Sequence, residues 1–269
     1  MNRSQQRGAD LPPPRRTRRE TLVLAALGAG LIGAWEVAVR ASGIPGFMLP
    51  PPTRIARAFA AEPGYYLHHA GVTFAEILIG LAVGAGFGAA TAIVLALSPR
   101  AERLVGPVLV ASQALPVFAI APLLVIWLGF GTASKVAMAA LIIYFPVATA
   151  FGDGLRRTDP DLIDLARLNG AHRLRTMRLV RIPAALPALG SGLRVAAAIA
   201  PIGAVVGEWV GASAGLGFIM LQANARMQTE RVFVALVLLA AMAIGLRLAI
   251  DLAVRRTLFW VPGEAAAAK

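Results

Sequence analysis

Few residues in this 269-residue chain have the type and spacing to do chemistry, and the densest group lies at 156–183. There Thr158-Asp159-Pro160 offers an Asp cap followed by a proline at the first helical position, where a missing N–H costs no hydrogen bond. Leu162, Ile163, Asp164, Leu165, Ala166, Arg167 and Leu168 follow as a short amphipathic helix, and Asn169-Gly170 is a signal for its C-terminal cap. A second helical stretch over 173–180 is expected to stop before Pro183 and Pro187. Helix, turn and helix, rich in Arg, form a docking element for a separate partner; the plainer alternative is a basic loop held on anionic lipid.

Elsewhere the residues argue against catalysis. There is no Cys, so thiolate ligands, disulfides and Cys nucleophiles are excluded. The only lysines, Lys135 and Lys269, follow no Gly-rich phosphate-binding turn, so the chain is not itself an ATPase. His68 and His69 are adjacent and point different ways on a helix, with no carboxylate at ligand spacing, and are read as an outer interfacial pair. His172 is read as solvated. No catalytic residue, metal or cofactor is expected. Gly84, Gly86 and Gly88 follow no strand and make no dinucleotide loop; Gly80, Gly84 and Gly88 instead recur on one helix face, where small residues admit a neighbouring helix.

Ionisable residues inside apolar segments are costly and therefore candidates for function. Glu36, Glu76, Arg194, Arg247 and Asp251 lie near segment ends, where an interfacial position accounts for most of them, and Arg247 and Asp251 are spaced to pair. Glu208, in Gly207-Glu208-Trp209 beside a Gly-rich turn, has two readings: lining a pathway, or a structural hydrogen bond to that turn.

The elements that must position these residues follow from composition. With 58% hydrophobic and 15% charged residues and a mean hydropathy of +0.70, the chain reads as a membrane protein. The net charge of +12 comes from Arg clusters between apolar runs, which excludes a nucleic-acid face. A hydrocarbon core about 30 Å thick needs roughly 20 apolar helical residues. Six spans result, at 22–39, 72–97, 104–128, 136–155, 184–210 and 232–254, the third interrupted by Pro116 and Pro122 and hence kinked or re-entrant. The segment at 21–40 is too long for a cleaved leader and reads as a retained first span. It follows a basic tail at 1–20, expected to be disordered and cytoplasmic. A periplasmic segment at 41–71 carries a short interfacial helix for which Thr53 is the available cap. A five-helix core at 72–255 holds the loop at 156–183, and 256–269 forms a second tail. Arg is in excess on the side of the N-terminus (Arg100, Arg103 and the 156–183 loop among them) over Arg40, Arg54, Arg57, Lys135, Arg226 and Arg231 opposite, so both termini are expected in the cytoplasm.

The loop's spacing resembles the permease subunits of binding-protein-dependent ABC importers. Their signature of Glu-Ala-Ala, three residues, Gly, nine residues and Ile-x-Leu-Pro is matched by Asp164-Leu165-Ala166, Gly170 and Val180-Arg181-Ile182-Pro183, with Asp in place of Glu and Leu in place of the first Ala. Leu49-Pro50-Pro51-Pro52-Thr53, Leu115-Pro116, Ala121-Pro122-Leu123, Trp127-Leu128-Gly129 and Gly215-Leu216-Gly217 are similar to the taurine, sulfonate and nitrate permease group. The stretches 203–217 and 224–229 look closest to permeases for thiamine pyrimidine precursors or riboflavin. The resemblance implies an all-α, polytopic bundle of six transmembrane helices with the type I importer (MetI-like) fold, in the inner membrane and in contact with its lipid. It implies a separate ATP-binding cassette ATPase, a periplasmic substrate-binding protein and a second copy of the chain as partners. Coupling to the ATPase would fall to Asp164, Leu165, Ala166, Gly170, Ile182 and Pro183, and the translocation path would be lined by Gln113, Pro116, Glu208 and Trp209. The rival reading, an ion-coupled secondary transporter, would need mid-span acids or an inverted repeat, and neither is evident; a membrane enzyme would need a reactive cluster at one depth.

Overall fold

The computed structural model describes residues 18–260, so most of the two expected tails lies outside it. Its regular elements are helices: α1 (Arg18–Ser42), α2 (Pro52–Ala61), α3 (Pro63–Leu97), α4 (Pro99–Ser112), α5 (Val117–Leu128), α6 (Thr132–Arg156), α7 (Pro160–Leu168), α8 (Arg173–Thr176), α9 (Ile182–Gly211), α10 (Leu216–Ala225) and α11 (Thr229–Thr257). A π-helical turn, Met177–Arg181, joins α8 to α9. The fold is an all-α membrane bundle. The six expected spans fall in α1, α3, the α4–α5 pair, α6, α9 and α11. Among the described residues, α3, α6, the continuous run Arg173–Gly211 and α11 are long and apolar enough to cross a bilayer; α4 and α5, bent by 101° to one another, form either a broken fifth span or a re-entrant loop.

That bend answers the expectation of a kink, but only one of the two named prolines makes it. Pro116 precedes α5, whereas Pro122 sits inside α5 without breaking it. Prolines also set the starts of α2, α3, α4 and α7. Because Pro63 initiates it, α3 begins nine residues before the apolar run that marks its span, carrying Tyr66 and His69 into the core.

Packing is tightest among α3, α6 and α9. The glycine stripe explains how. A Cβ on Gly84 would lie 2.6 Å from the Ala140 carbonyl oxygen, and one on Gly88 would lie 2.7 Å from that of Tyr144, so only glycine lets α3 approach the backbone of α6. The core between them is made of Ile77, Ala139, Ile143, Val147, Ala196, Ala200 and Ala204, mostly small side chains that keep the three helices close.

Two expectations about ends are corrected. Thr53 does not cap α2. Pro51 precedes that helix and Pro52 opens it, and the cap comes from α1: the Glu36 carboxylate accepts the Thr53 N–H at 3.0 Å and its hydroxyl at 2.8 Å. A carboxylate from another helix serves because the N-terminus of α2 carries orphan donors and positive dipole. Nor does Asp251 turn to Arg247; it pairs with Arg194 of α9 at 2.8 Å and with Arg255 at 2.9 Å, gaining a partner across the helix interface.

Candidate functional site

The loop after α6 is built as its spacing implies. The Asp159 side chain accepts the Asp161 N–H at 2.9 Å, and Pro160 opens α7. At the other end the Ala171 N–H reaches the Ala166 carbonyl and the Gly170 N–H that of Arg167, the paired bonds of a Schellman cap. Gly170 sits at φ +73°, the left-handed conformation such a cap requires. The Asn169 side-chain amide closes the last turn by donating to the Leu165 carbonyl at 2.8 Å. On α7, Asp164 pairs with Arg167 at 2.9 Å, Ala166 is half-buried, and Leu162, Leu165 and Leu168 lie bare, Leu168 at 87% exposure. An exposed apolar strip on a charged loop outside the apolar spans has the character of an interaction surface.

The second helical stretch does not stop at the prolines, which corrects the sequence reading. α8 runs through the π turn directly into α9, with Pro183 in its first turn and Pro187 and Pro201 inside. Pro183 has no N–H for the carbonyl four residues before it. The register widens there instead, the Ile182 N–H bonding to the Met177 carbonyl, and the chain passes the proline unbroken. Ile182 and Pro183 are half-buried at this junction.

One residue of the loop that the sequence reading counted only as charge makes three hydrogen bonds to the ends of two other helices. The Arg181 guanidinium donates through Nε (3.1 Å) and Nη2 (2.7 Å) to the Leu155 carbonyl at the end of α6, and through Nη1 (3.1 Å) to the Ala96 carbonyl at the end of α3. It borders a cavity of about 450 Å³ lined by Ile163, Arg167, Ala171, Arg173 and Thr176. Close by, Arg156 joins α6 to α4 through Glu102 at 3.0 Å.

At the opposite end of the same helices lies a buried polar cluster. Three amides at the start of α10 each find a side-chain acceptor: Gly215 on Nδ1 of His69 (2.9 Å), Leu216 on the Thr73 hydroxyl (2.8 Å), and Gly217 on Oε2 of Glu208 (2.5 Å). These are the orphan donors of a helix start, satisfied from α3 and α9. Thr73 also donates to Oε1 of Glu208 at 2.6 Å. Gly215, at φ +118°, faces the Glu208 carboxylate so closely that a Cβ would collide with it. Next to this group, Lys135 Nζ lies 3.2 Å from Oε1 of Glu76, both side chains buried; the contact lacks hydrogen-bond geometry, and neither Glu76 oxygen has a hydrogen-bond partner.

His69 is thus a buried acceptor rather than an interfacial residue, and Lys135 belongs to the first turn of α6 rather than to an outer loop. Neither role is visible in hydropathy; the signal available was that Lys135 is one of two lysines, placed beside an apolar run. The four residues named for the path divide. Glu208, 1% exposed, is turned into the bundle and bonded to the Gly-rich turn. Trp209 is 42% exposed and faces Phe118 of α5, ring centroids 6.5 Å apart. Gln113 and Pro116 are exposed at the bend between α4 and α5. Trp209 therefore meets α5 at Phe118, two residues after Pro116, whereas Glu208 is buried in the bundle.

Comparison with known proteins gives this geometry a context. A family model described as "Binding-protein-dependent transport system inner membrane component" matches residues 80–258. A probable ABC transporter permease protein of Haemophilus influenzae is 45% identical over 231 residues, covering 86% of this chain and 94% of that protein. The riboflavin transport system permease protein RibX of Chloroflexus aurantiacus is 37% identical, covering 86% and 87%. The formylaminopyrimidine transport permease protein ThiX of Halalkalibacterium halodurans is 35% identical, covering 80% and 86%.

Proposed function

Because this chain belongs to the family of inner-membrane components of binding-protein-dependent transport systems, we propose that it carries a small organic solute into the cytoplasm, a thiamine pyrimidine precursor or riboflavin. It is a multi-pass membrane permease subunit of an ABC importer. In the proposal two copies enclose the path, and ATP hydrolysis belongs to a separate subunit that receives α7. Asp164, Leu165, Ala166 and Gly170 form the docked helix and its turn, and Ile182 and Pro183 join it to α9. Both termini then face the cytoplasm. Gln113, Pro116 and Trp209 line the path, with Glu208 holding the turn behind Trp209.

The observation that carries the reading is the loop itself: a capped helix with a bare leucine strip, ended by a left-handed glycine, on the side where Arg is in excess. The substrate rests on the relatives' names alone, since no side chain among the described residues reads out a pyrimidine or a flavin. Two measurements test the proposal. The chain should co-purify with an ATP-binding cassette subunit, and uptake in vesicles should cease on ATP depletion yet survive an uncoupler at constant ATP. An uncoupler-sensitive uptake would favour ion coupling. The partner binding protein should retain a pyrimidine or riboflavin on purification; a retained sulfonate, taurine or nitrate would move the cargo to that group.

A further inference from the structure

We propose that Arg181 is the positioning residue that carries displacement of the docking loop into α3 and α6, a role that rests on the docking reading above. The argument starts from the ends of the two helices. The last carbonyls of a helix have no intrahelical donor and form the negative end of its dipole. Ala96 and Leu155 are such residues, one turn or less from the ends of α3 and α6, and a single guanidinium holds both carbonyls. Only arginine suits this. Its donors are fixed in a planar fork that meets two acceptors at set angles, whereas a lysine ammonium on a flexible stem fixes no such angle.

The backbone of Arg181 belongs to the loop side of the junction. It ends the π turn, immediately before Ile182 and Pro183, and π turns inserted in helices are often found at functional sites. Apolar packing here comes from Ala92, Phe151, Leu155, Met177 and Ala185, which holds the elements together without fixing their direction. Between α7 and α8 there is open space, the cavity of about 450 Å³ on whose wall Arg181 stands. The tie between Arg156 and Glu102 joins α6 to α4 and leaves α7, α8 and α9 out. The Thr158 hydroxyl also donates to the Leu155 carbonyl, at 3.2 Å, but it reaches α6 alone; the directional link from the loop that takes in the ends of both α3 and α6 is the Arg181 fork.

The absence of Cys from the chain allows a direct test. Spin labels at Asp161→Cys on α7 and Val94→Cys on α3, both exposed positions, report the distance between the loop and a span. The sample is the complex with its ATPase in lipid vesicles, without nucleotide and with ATP plus vanadate. With Arg181 present, loop and span move together, and the distance distribution is expected to be single and unshifted by nucleotide. In Arg181→Met the ATPase is retained, but nucleotide shifts or splits the distribution; Arg181→Lys, read in the same way if the Met variant fails to fold, shifts it less. Three results overturn the proposal: variants that match the parent with and without nucleotide, a distance altered equally without nucleotide, which would mark Arg181 as merely structural, or loss of the ATPase from a folded Arg181→Lys complex. Failure of the docking reading is separate, since the parent chain itself would then retain no ATPase.

Discussion

Replacing Gly170 isolates the left-handed turn from everything around it. A Cβ built there meets no atom within 4 Å, so a substitution creates no clash and its effect is purely one of backbone conformation. At φ +73° an L-residue carries a penalty of about 1–2 kcal/mol, which is least for asparagine and largest for a β-branched residue. If the docked loop needs this turn while the free loop can relax out of it, the penalty falls on the bound state. The affinity for the ATPase subunit then drops by a factor of about 5–30 for alanine, more for valine and less for asparagine. The assay is titration of a labelled ATPase subunit onto the chain in nanodiscs, across Gly, Asn, Ala and Val at this position. Unfolding temperatures should change little, because the turn is exposed and lies outside the packed helices. A valine variant that binds as tightly as the parent, or a series in which Asn is worse than Val, would refute the reasoning.

Other expectations concern the bundle. Gly84→Ala should destabilise it by about 1–3 kcal/mol, since the added methyl meets the Ala140 backbone, whereas Gly86→Ala, with open space around it, should stabilise it by about 0.5–1 kcal/mol; tryptophan fluorescence on heating in detergent checks the opposite signs. Lys135→Met strands the buried Glu76 carboxylate and should cost about 3–5 kcal/mol, most of it restored by adding Glu76→Met; no recovery in the double variant would mean that the pair does not interact. Glu208→Ala removes the acceptor of the Gly217 N–H, at about 1–3 kcal/mol, while the Thr73 hydroxyl keeps the His69 carbonyl at 3.2 Å; amide exchange at the start of α10 should quicken, and Glu208→Gln, keeping one carbonyl oxygen, should fall between.

What the sequence made legible is local or periodic. The apolar runs, the Asp159-Pro160 start, the Asn169-Gly170 stop and the glycine stripe each depend on neighbours within a turn or two of helix; the runs fall in helices, the third in two, and the start, stop and stripe are found in the structure. Most of the misreadings share a cause. Glu36 capping α2, His69 accepting from Gly215, Asp251 choosing Arg194 and Arg181 spanning α3 and α6 are all contacts between helices distant in sequence. Helical period says which face a residue occupies, not which residue of another helix stands opposite. Pro183 misled for a different reason: a proline ends a helix held in α register, but a π turn removes the need for its N–H.

The distribution of these contacts constrains how the molecule can move. α3, α6 and α9 are joined at one end through Thr73 and Glu208, with Glu76 beside Lys135, in the middle by glycine and alanine at backbone contact, and at the end near the 156–183 loop by Arg181. Close-packed interfaces of small residues switch between discrete arrangements rather than deform gradually. Shear among these three helices would have to break the buried Thr73–Glu208 hydrogen bond at one end, at about 1–3 kcal/mol, and the part-buried Arg181 bonds at the other. The bent α4–α5 pair is held differently: α4 has no buried residue, α5 has only Ala121 and Val125, and Leu104, Val108, Phe118, Ile126 and Trp127 face outward. On the docking reading proposed above, displacement entering at 156–183 would therefore move α3, α6 and α9 as one body. Rearrangement falls to the bend at Pro116, where α5 meets Trp209 through Phe118.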